Sequence, residues 1–221
     1  MLTCQHIFDG YSWLMATEND SARTADYTFD LSGGRLCLDF ANTVGDRGAE
    51  PNEHLGSYGD LIAWAEQAGA IAPREARALL RRAAERPADA RRALAEAIEL
   101  REALYRVFAA VATGRSPRAP DLAIVNAAVP AAFERSRLVA SKDGFTLAAG
   151  VDDDDLAAPL TAVVRSAIDL ITSPDVDRVR TCAAVTCAWL FLDTTKNRAR
   201  RWCDMKTCGN REKVRRFRGV V

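Results

Sequence analysis

The C-terminal part of the chain contains four closely spaced cysteines whose side chains could bind a metal ion. They occur as two pairs, Cys182-x4-Cys187 and Cys203-x4-Cys208, with 15 residues between the pairs. Zinc is commonly held by four thiolates at the corners of a tetrahedron, and such a site leaves no coordination position open for a reaction. Two close pairs around a hairpin-sized insert allow a short chain to build this geometry. We therefore expect these four cysteines to bind one zinc ion per chain.

Two disulfides or four free thiols are the alternatives to a zinc site. The N-terminus has no positively charged start and carries Asp9, Glu18 and Asp20, so it is not typical of a signal peptide. No segment approaches the roughly 18 uninterrupted apolar residues that a membrane span requires. We therefore expect a cytoplasmic protein that has no membrane partner. Cysteines in that reducing compartment are more often metal ligands than disulfide partners, which favours zinc.

The residues around the cysteines predict a small module. Residues 189–193 are typical of a strand, 194–197 of a turn and 198–202 of a returning strand, and a basic helix is expected over 210–218. This order of cysteine pair, hairpin, cysteine pair and helix resembles a treble-clef finger. Its large apolar residues predict a mini-core, although one of them could instead be exposed and stack on a base: Trp189, Phe191 and Trp202, of which Trp202 is the ambiguous one. We expect loss of zinc to unfold this module and leave the rest of the chain intact.

The chain has no net charge, but its charges are unevenly distributed. It contains 30 basic and 30 acidic residues in all. Residues 178–221 hold 12 of the basic and 3 of the acidic ones, a local charge of +9, so the remainder carries −9. This asymmetry indicates that the C-terminal segment meets a polyanion. The alternative is a solvated basic tail that binds nothing in particular.

Arginine and lysine side chains of this segment are the candidates for contacting nucleic acid. Asn210 and Arg211 have the side-chain types best suited to reading adenine and guanine edges. They could equally be structural, by capping the helix or by hydrogen bonding to cysteine sulfurs. The full candidate set is Arg198, Arg200, Arg201, Lys206, Asn210, Arg211, Lys213, Arg215, Arg216 and Arg218.

The rest of the chain is expected to be mainly helical. Apolar residues at helical spacing predict long helices over 94–111 and 160–171. Shorter helices are expected over 60–68 after a Ser57 cap, over 73–86 and over 120–128. Segments 137–140 and 145–148 flank a turn and predict one small β-hairpin. The predicted fold is a helical domain with this hairpin, followed by the zinc module with its own hairpin and helix.

Two stretches of the sequence resemble known bacterial domains. The cysteine pairs, with Cys208-Gly-Asn-Arg211 and the basic residues after it, are similar to the CGNR zinc finger. Residues 33–43, Gly-Gly-Arg-Leu-Cys-Leu-Asp-Phe-Ala-Asn-Thr, are similar to the start of the ABATE domain. The resemblance implies a stress-related transcription regulator with the four cysteines as metal ligands. It divides the chain into an N-terminal extension (1–29), a helical ABATE-like domain (30–173) and a CGNR-type zinc finger (177–221).

These observations predict a zinc-dependent nucleic-acid-binding protein, and duplex DNA is the expected target. The helical domain would act as a sensing or interaction module for a small ligand or a protein partner, and a homodimer would raise the affinity of a single finger. Two alternatives stay open: an RNA-associated protein, and a protein-interaction module with a purely structural zinc site. We do not expect an enzyme, because the four-thiolate site is closed and no cluster of carboxylates and histidines replaces it.

Overall fold

The computed structural model describes residues 27–142, 144–149 and 155–219, so most of the expected N-terminal extension lies outside the described residues. This part of the chain contains seven α-helices and three two-stranded antiparallel sheets, which confirms the mainly helical fold. The helices are α1 (Leu36–Ala41), α2 (Tyr58–Gln67), α3 (Pro73–Glu85), α4 (Pro87–Ala112), α5 (Ala119–Glu134), α6 (Leu160–Ile171) and α7 (Asn210–Phe217). The strands are β1 (Val44–Gly45), β2 (Asn52–Glu53), β3 (Ser136–Ser141), β4 (Gly144–Ala149), β5 (Val179–Thr181) and β6 (Leu190–Leu192).

Local sequence signals place most of these elements. The Ser57 side chain accepts a hydrogen bond from the Asp60 backbone N–H, and the Asp60 side chain accepts one from the Ser57 backbone N–H, so α2 begins with a capping box. The predicted hairpin is confirmed as β3 and β4, with Ala140 opposite Phe145. Helix α5 is longer than predicted and continues through Pro130. Packing of Ala132 in the core supports this extra turn despite the lost backbone hydrogen bond.

The short helix α1, which the periodicity did not predict, lies at the centre of the helical body. Its Leu38 and Phe40 side chains are completely buried, and the Phe40 ring lies 4.9 Å from the Trp64 ring of α2. The long helix α4 packs against α1, α2, α3 and α5 and also reaches β5 and β6. No helix of the described residues is long and apolar enough to cross a membrane. The body is therefore organised around α1 and α4.

The hairpin of the C-terminal segment differs from the prediction. Strand β6 forms where a strand was expected, but its partner is β5, which precedes the first cysteine, with Val179 opposite Leu192. Residues 198–202 were expected to return as a strand, and this expectation is wrong. Because the buried Asp193 carboxylate accepts hydrogen bonds from the backbone N–H groups of Thr195 and Arg200, that segment is held in a loop.

The β5–β6 hairpin is part of the core of the helical body. Val179, Leu190 and Leu192 are buried in the same apolar cluster as α1, α2, α4 and α6. Asn42 lies at the end of α1 and is 2% exposed. Its amide Nδ2 donates to the Leu190 carbonyl oxygen (2.8 Å), and its Oδ1 accepts from the Leu190 N–H (2.9 Å). The body therefore holds β6 by apolar packing and by a paired hydrogen bond.

A buried ionic network holds the loop between β1 and β2 against α4. Arg101 is 2% exposed and donates to both carboxylate oxygens of Glu53 at 2.6 and 2.7 Å. Arg47 binds the Glu102 carboxylate in the same two-pronged way, at 2.9 and 2.8 Å. Buried ion pairs of this kind are destabilising to break, because the remaining partner is left as an uncompensated charge. The network thereby fixes a loop that touches the C-terminal segment.

We predict that Asn42→Ala lowers the free energy of unfolding by about 2 kcal/mol, because it leaves the buried N–H and C=O of Leu190 without partners. Asn42→Asp should cost at least as much, since a carboxylate cannot donate to the Leu190 carbonyl. Urea denaturation of the zinc-loaded protein measures both changes. Asn126→Ala, on the exposed face of α5, is the matched control and should have little effect. Equal effects at both positions would contradict the assigned role of Asn42.

Asp39 of α1 is a buried carboxylate. Its Oδ1 accepts a 2.8 Å hydrogen bond from the Gly33 N–H, but burial dominates and raises its pKa to about 7. An aspartate in the unfolded chain titrates near pH 4. Between these two values the folded state binds more protons than the unfolded state, so the contribution of Asp39 to stability falls as the pH rises.

We therefore predict that Asp39→Asn, which keeps an acceptor for Gly33, removes this pH dependence. Relative to the unchanged protein, the variant should gain about 2 kcal/mol of stability between pH 5 and pH 8. The free energy of unfolding of both proteins is measured by urea denaturation at each pH. Because zinc is bound by both proteins, its own pH dependence cancels in the difference. A constant difference across this range would show that Asp39 does not titrate there.

Candidate metal centre

The four cysteines of the C-terminal segment converge on one point. Their Sγ atoms all lie within 4.8 Å of one another, and all four residues are buried. The Cys187 and Cys208 sulfurs each lie 3.6 Å from the Cys203 sulfur. Four sulfurs at Zn–S distances near 2.3 Å around a tetrahedron are separated by about 3.8 Å, so the spacing fits zinc. The Cys203 backbone N–H also donates to the Cys182 sulfur at 3.4 Å.

The electrostatics of the cluster also favour a cation. Hydrogen bonds from the Cys187 and Cys203 thiols lower the pKa of Cys182 far below its usual range. The same hydrogen bonds raise the pKa values of Cys187 and Cys203, and burial raises that of Cys208. Without a metal the cluster therefore holds one thiolate easily but not four. Four thiolates so close together would repel one another. A divalent cation between them offsets this repulsion, so zinc binding releases the protons of the thiols.

The first cysteine pair is presented by the loop between β5 and β6. Cys182 directly follows β5, and its N–H donates to the Trp189 carbonyl oxygen at 2.7 Å. The Cys187 N–H donates to the Ala184 carbonyl oxygen, which closes a tight turn. Ala188 then adopts a left-handed conformation with φ 55°. This reversal turns the chain from Cys187 into β6, so both sulfurs point to the same side.

The second cysteine pair is presented at the start of α7. Cys203 follows the loop, and Asp204 caps a π-helical turn, Met205–Gly209, by accepting from the Thr207 N–H. This turn contains Cys208 and leads directly into α7. At Gly209 an added Cβ would lie 2.8 Å from the Met205 sulfur, so the exposed Met205 side chain would have to move to admit a larger residue. The predicted basic helix is confirmed.

The apolar residues of the segment pack around the metal cluster. Phe191 is completely buried among the cysteines and Ala184, and both tryptophans are partly buried against this cluster. The Trp189 indole N–H donates to the Val44 carbonyl oxygen at 2.7 Å. The Arg201 guanidinium lies 5.4 Å from the centre of the Trp202 ring. The predicted mini-core is confirmed, and Trp189 joins it to the helical body.

Comparison with known families agrees with this arrangement. Residues 34–174 match the ABATE model, described as "Putative stress-induced transcription regulator", and residues 178–219 match the CGNR zinc finger. The chain belongs to the ABATE family. No curated protein matches the chain. The family and the four converging thiols together identify a CGNR zinc finger that binds one zinc ion per chain. The division of the ABATE chain into separate folding units stays a prediction.

Eight of the ten residues predicted to contact nucleic acid are exposed in the zinc finger, and six of these make no side-chain hydrogen bond or ion pair with another described residue. Two of them lie on the loop that follows β6, one lies in the π-helical turn, and the other three lie on or just after α7. Their charges are directed outward from a compact module. The six residues are Arg198, Arg201, Lys206, Lys213, Arg216 and Arg218.

The other four candidates make contacts within the protein. Arg200 lies 4.6 Å from the Phe191 ring centre, and its guanidinium donates to the carbonyl oxygens of Trp202 and Cys203. The Asn210 amide donates to the Lys206 carbonyl oxygen at 2.9 Å. This contact is of the structural kind that the sequence left open. Arg211 and Arg215 complete this group.

Arg211 connects the zinc finger to the ABATE domain. Its Nη1 lies 3.2 Å from the Asp46 carboxylate and 2.9 Å from the Thr186 hydroxyl. Arg215 is half-buried and also interacts within the described chain. Base reading by Arg211 stays a prediction; both of its contacts use Nη1, and its side chain is 47% exposed.

Sequence reasoning missed the loop that meets the finger. The Gly48 N–H donates to the Thr186 carbonyl oxygen at 2.9 Å, and a Cβ at Gly48 would lie 2.4 Å from the Val185 carbonyl oxygen. The Tyr105 hydroxyl of α4 donates to the Ala188 carbonyl oxygen at 3.0 Å. In the sequence, Gly48 beside Arg47 gives only a weak indication of a contact with a distant segment. Only the folded chain shows that this glycine allows the loop to approach the cysteine turn.

We predict that one zinc per chain copurifies and that Cys203→Ser loses it. Structural zinc contributes about 10 kcal/mol or more to folding. From the sequence we expected only the C-terminal module to unfold; because Val179, Leu190 and Leu192 belong to the core of the ABATE domain, the structure leads us to expect a wider effect. Cys203→Ser should therefore also lower the melting temperature of the helical domain, measured by circular dichroism at 222 nm.

Cys37→Ala is the matched control for this experiment. Cys37 is completely buried in the helical domain and is not part of the metal cluster. This variant should keep one zinc per chain by elemental analysis, whatever its effect on stability. Absence of zinc from the unchanged protein would overturn the site assignment. An unchanged helical melting temperature in Cys203→Ser would show that the finger and the ABATE domain fold independently.

Proposed function

We propose that this protein is a DNA-binding transcription regulator in which the basic surface of the zinc finger contacts duplex DNA. In the proposed division of work, the zinc ion and the helical domain hold the finger rigid, and the helical domain senses a ligand or a partner. The family match supports a regulatory role. The observation that carries the proposal is the separation of charge within the finger, in which most basic side chains are exposed and the three acidic ones are held by hydrogen bonds within the finger.

Each acidic residue of residues 178–219 is engaged within the finger. Asp193 is completely buried; burial favours its neutral form, but hydrogen bonds from Thr195 and Arg200 outweigh burial and lower its pKa. The pKa of Asp204 is lowered by the hydrogen bond from the Thr207 N–H. Glu212 is 9% exposed and accepts from the Val185 N–H. Asp193 and Glu212 are buried, and only Asp204 is partly exposed, beside Lys206, so the outer surface keeps an excess of cations that it presents to a polyanion.

Helix α7 supplies the centre of this surface. Glu212 faces the first cysteine turn, so the residues on the opposite side of the helix point to solvent. That side carries Lys213 together with Val214, which is 47% exposed, and Phe217, which is 93% exposed. Apolar side chains among cations suit a nucleic-acid surface, where they can pack against sugars, bases or the thymine methyl group.

We also propose that the zinc ion is structural and that the protein is not an enzyme. Four thiolates fill the tetrahedral positions of zinc and leave none for a substrate or water. The zinc ion would instead fix the loop and α7 relative to each other, so that the exposed cations keep their spacing. A fixed array of cations loses less conformational entropy when it binds phosphates than a flexible tail does.

We predict a strong salt dependence of duplex binding by the full-length, zinc-loaded protein. If about five phosphates are neutralised, the logarithm of the binding constant should fall with the logarithm of the salt concentration with a slope of roughly −4 to −5. The double variant Lys213→Ala/Arg216→Ala should make the slope shallower by up to about two and should weaken all sequences alike. Fluorescence anisotropy with a labelled duplex measures both quantities.

The double variant Arg81→Ala/Arg91→Ala is the matched control. It removes the same charge from exposed positions of α3 and α4, far along the chain from the finger, and should leave the slope unchanged. If both double variants changed the salt slope equally, the duplex would be attracted by the net charge of the protein and not by the surface of the finger. Preferential displacement of the duplex by structured RNA would favour the RNA alternative. Absence of salt-dependent binding to either nucleic acid would refute the proposal and favour a protein-interaction module.

A further inference from the structure

A mainly apolar cavity of about 560 Å³ lies between α4, α5 and α6, and no residue of the zinc finger lines it. Its volume falls in the range of about 300–1,000 Å³ that is typical of sites for small molecules. One wall consists of small side chains of α5, which leave the space open. These are Ala123, Ala127, Ala128, Ala131 and Ala132.

A buried hydroxyl group in the wall of this cavity has no hydrogen-bond partner among the residues that the structure describes. Thr161 lies in the first turn of α6, lines the cavity and is 1% exposed. Its Oγ1 atom makes no hydrogen bond to any described residue. Buried polar groups are almost always paired, because leaving one unpaired costs free energy. Less than 1 Å² of Oγ1 is accessible, so a ligand atom could pair with it only after the Thr161 side chain rotates toward the cavity, and that pairing would remove this cost.

The exposed charges that line the cavity are mostly negative. Glu96 and Glu99 of α4 line it, and Glu99 makes no ion pair with the described part of the chain. The Glu96 Oε1 atom lies 3.9 Å from the Arg92 Nε atom, which is a long distance for an ion pair. Arg135 also lines the cavity, but its guanidinium is engaged by the Asp155 carboxylate. The charge left for a ligand is therefore that of a carboxylate, which favours a cation.

We propose that this cavity binds an apolar amine that carries a second hydrogen-bonding group. The ammonium group lies beside Glu99 at the exposed side, and the apolar body packs against the alanine wall. The second group forms a hydrogen bond with the Thr161 hydroxyl. This inference names a ligand class and a site for the sensing role proposed for the helical domain, and it does not depend on which nucleic acid the finger binds.

Three probes of nearly equal size test the two polar contacts separately. Serotonin carries both an ammonium and a hydroxyl group, tryptamine lacks the hydroxyl, and 5-hydroxyindole-3-acetate has a carboxylate in place of the amine. Isothermal titration calorimetry on the full-length, zinc-loaded protein measures their affinities. Serotonin should bind most tightly, and loss of one polar contact should weaken binding by about tenfold. The carboxylate probe should bind most weakly, because it is repelled by Glu99.

Two variants test which residues make the polar contacts. Thr161→Val removes the unpaired hydroxyl and keeps the shape, so it should not lower the melting temperature of the ligand-free protein. It should reduce the affinity of serotonin to that of tryptamine and leave tryptamine binding unchanged. A merely structural hydroxyl would show the opposite pattern, with a lower melting temperature and unchanged affinities. Glu99→Gln should reduce the preference for the amine over the carboxylate probe.

A third variant tests the location of the site. Ala131→Leu places a larger side chain in the cavity and should abolish binding of serotonin, with unchanged circular dichroism. Ala95→Leu, at an exposed position of α4 that does not line the cavity, is the matched control and should bind normally. Equal affinities for all three probes, or serotonin binding that survives Ala131→Leu, would overturn the proposal.

The test of the amine site and the test of DNA binding can fail independently of each other. If no probe binds while duplex binding keeps its salt dependence, the amine site is refuted and the DNA-binding role stands. If serotonin binds but no nucleic acid does, the amine site stands and the DNA-binding role is refuted. Calorimetry of each probe and anisotropy of the duplex are performed on the same zinc-loaded preparation, so a folding defect would be visible in both.

Discussion

The structure depends on a strand of three residues that belongs to two cores at once. Successive side chains of a strand point to opposite faces. In β6, Leu190 and Leu192 are buried in the core of the ABATE domain, and Phe191 between them is buried among the zinc ligands. Both cores are therefore built on the same backbone. A shift of β6 by one residue would exchange its two faces and would disrupt both cores together.

This shared strand explains how so short a finger can be rigid. A segment of about 40 residues cannot bury enough apolar surface to be stable alone and needs a metal, disulfides or a partner. Here zinc supplies one side of the finger and the helical domain supplies the other. Asn42 holds the backbone of β6, and Trp189 and Tyr105 add hydrogen bonds across the same boundary. The finger thus behaves as an extension of the ABATE core that is closed by a metal.

The zinc ligands and most helices could be predicted from the sequence because their signals are local. Cysteine spacing, the Ser57 cap and helical periodicity each involve residues within a few turns of one another. The partner of β6 could not be predicted, because 198–202 has the same local signals as a strand; the burial of Val179 and the hydrogen bonds of Asp193 to the loop decide the pairing. Asn42 and Thr161 gave no signal either. Their roles arise from contacts, or from an absent contact, between segments distant in the chain.

Helix α4 relates the cavity of the ABATE domain to the finger. Glu99 lines the cavity, Glu102 one turn later binds Arg47, and Tyr105 one further turn on contacts the cysteine loop. Residues three apart lie close together on a helix, so these groups form one continuous edge. Arg47 neighbours Asp46, which binds Arg211 of α7. A ligand that moved α4 by a fraction of a turn would have to strain the buried Glu102–Arg47 pair. Because that pair fixes the loop whose Asp46 binds Arg211 of α7, it is, together with the Tyr105–Ala188 hydrogen bond, a contact through which a change at the cavity would reach the finger.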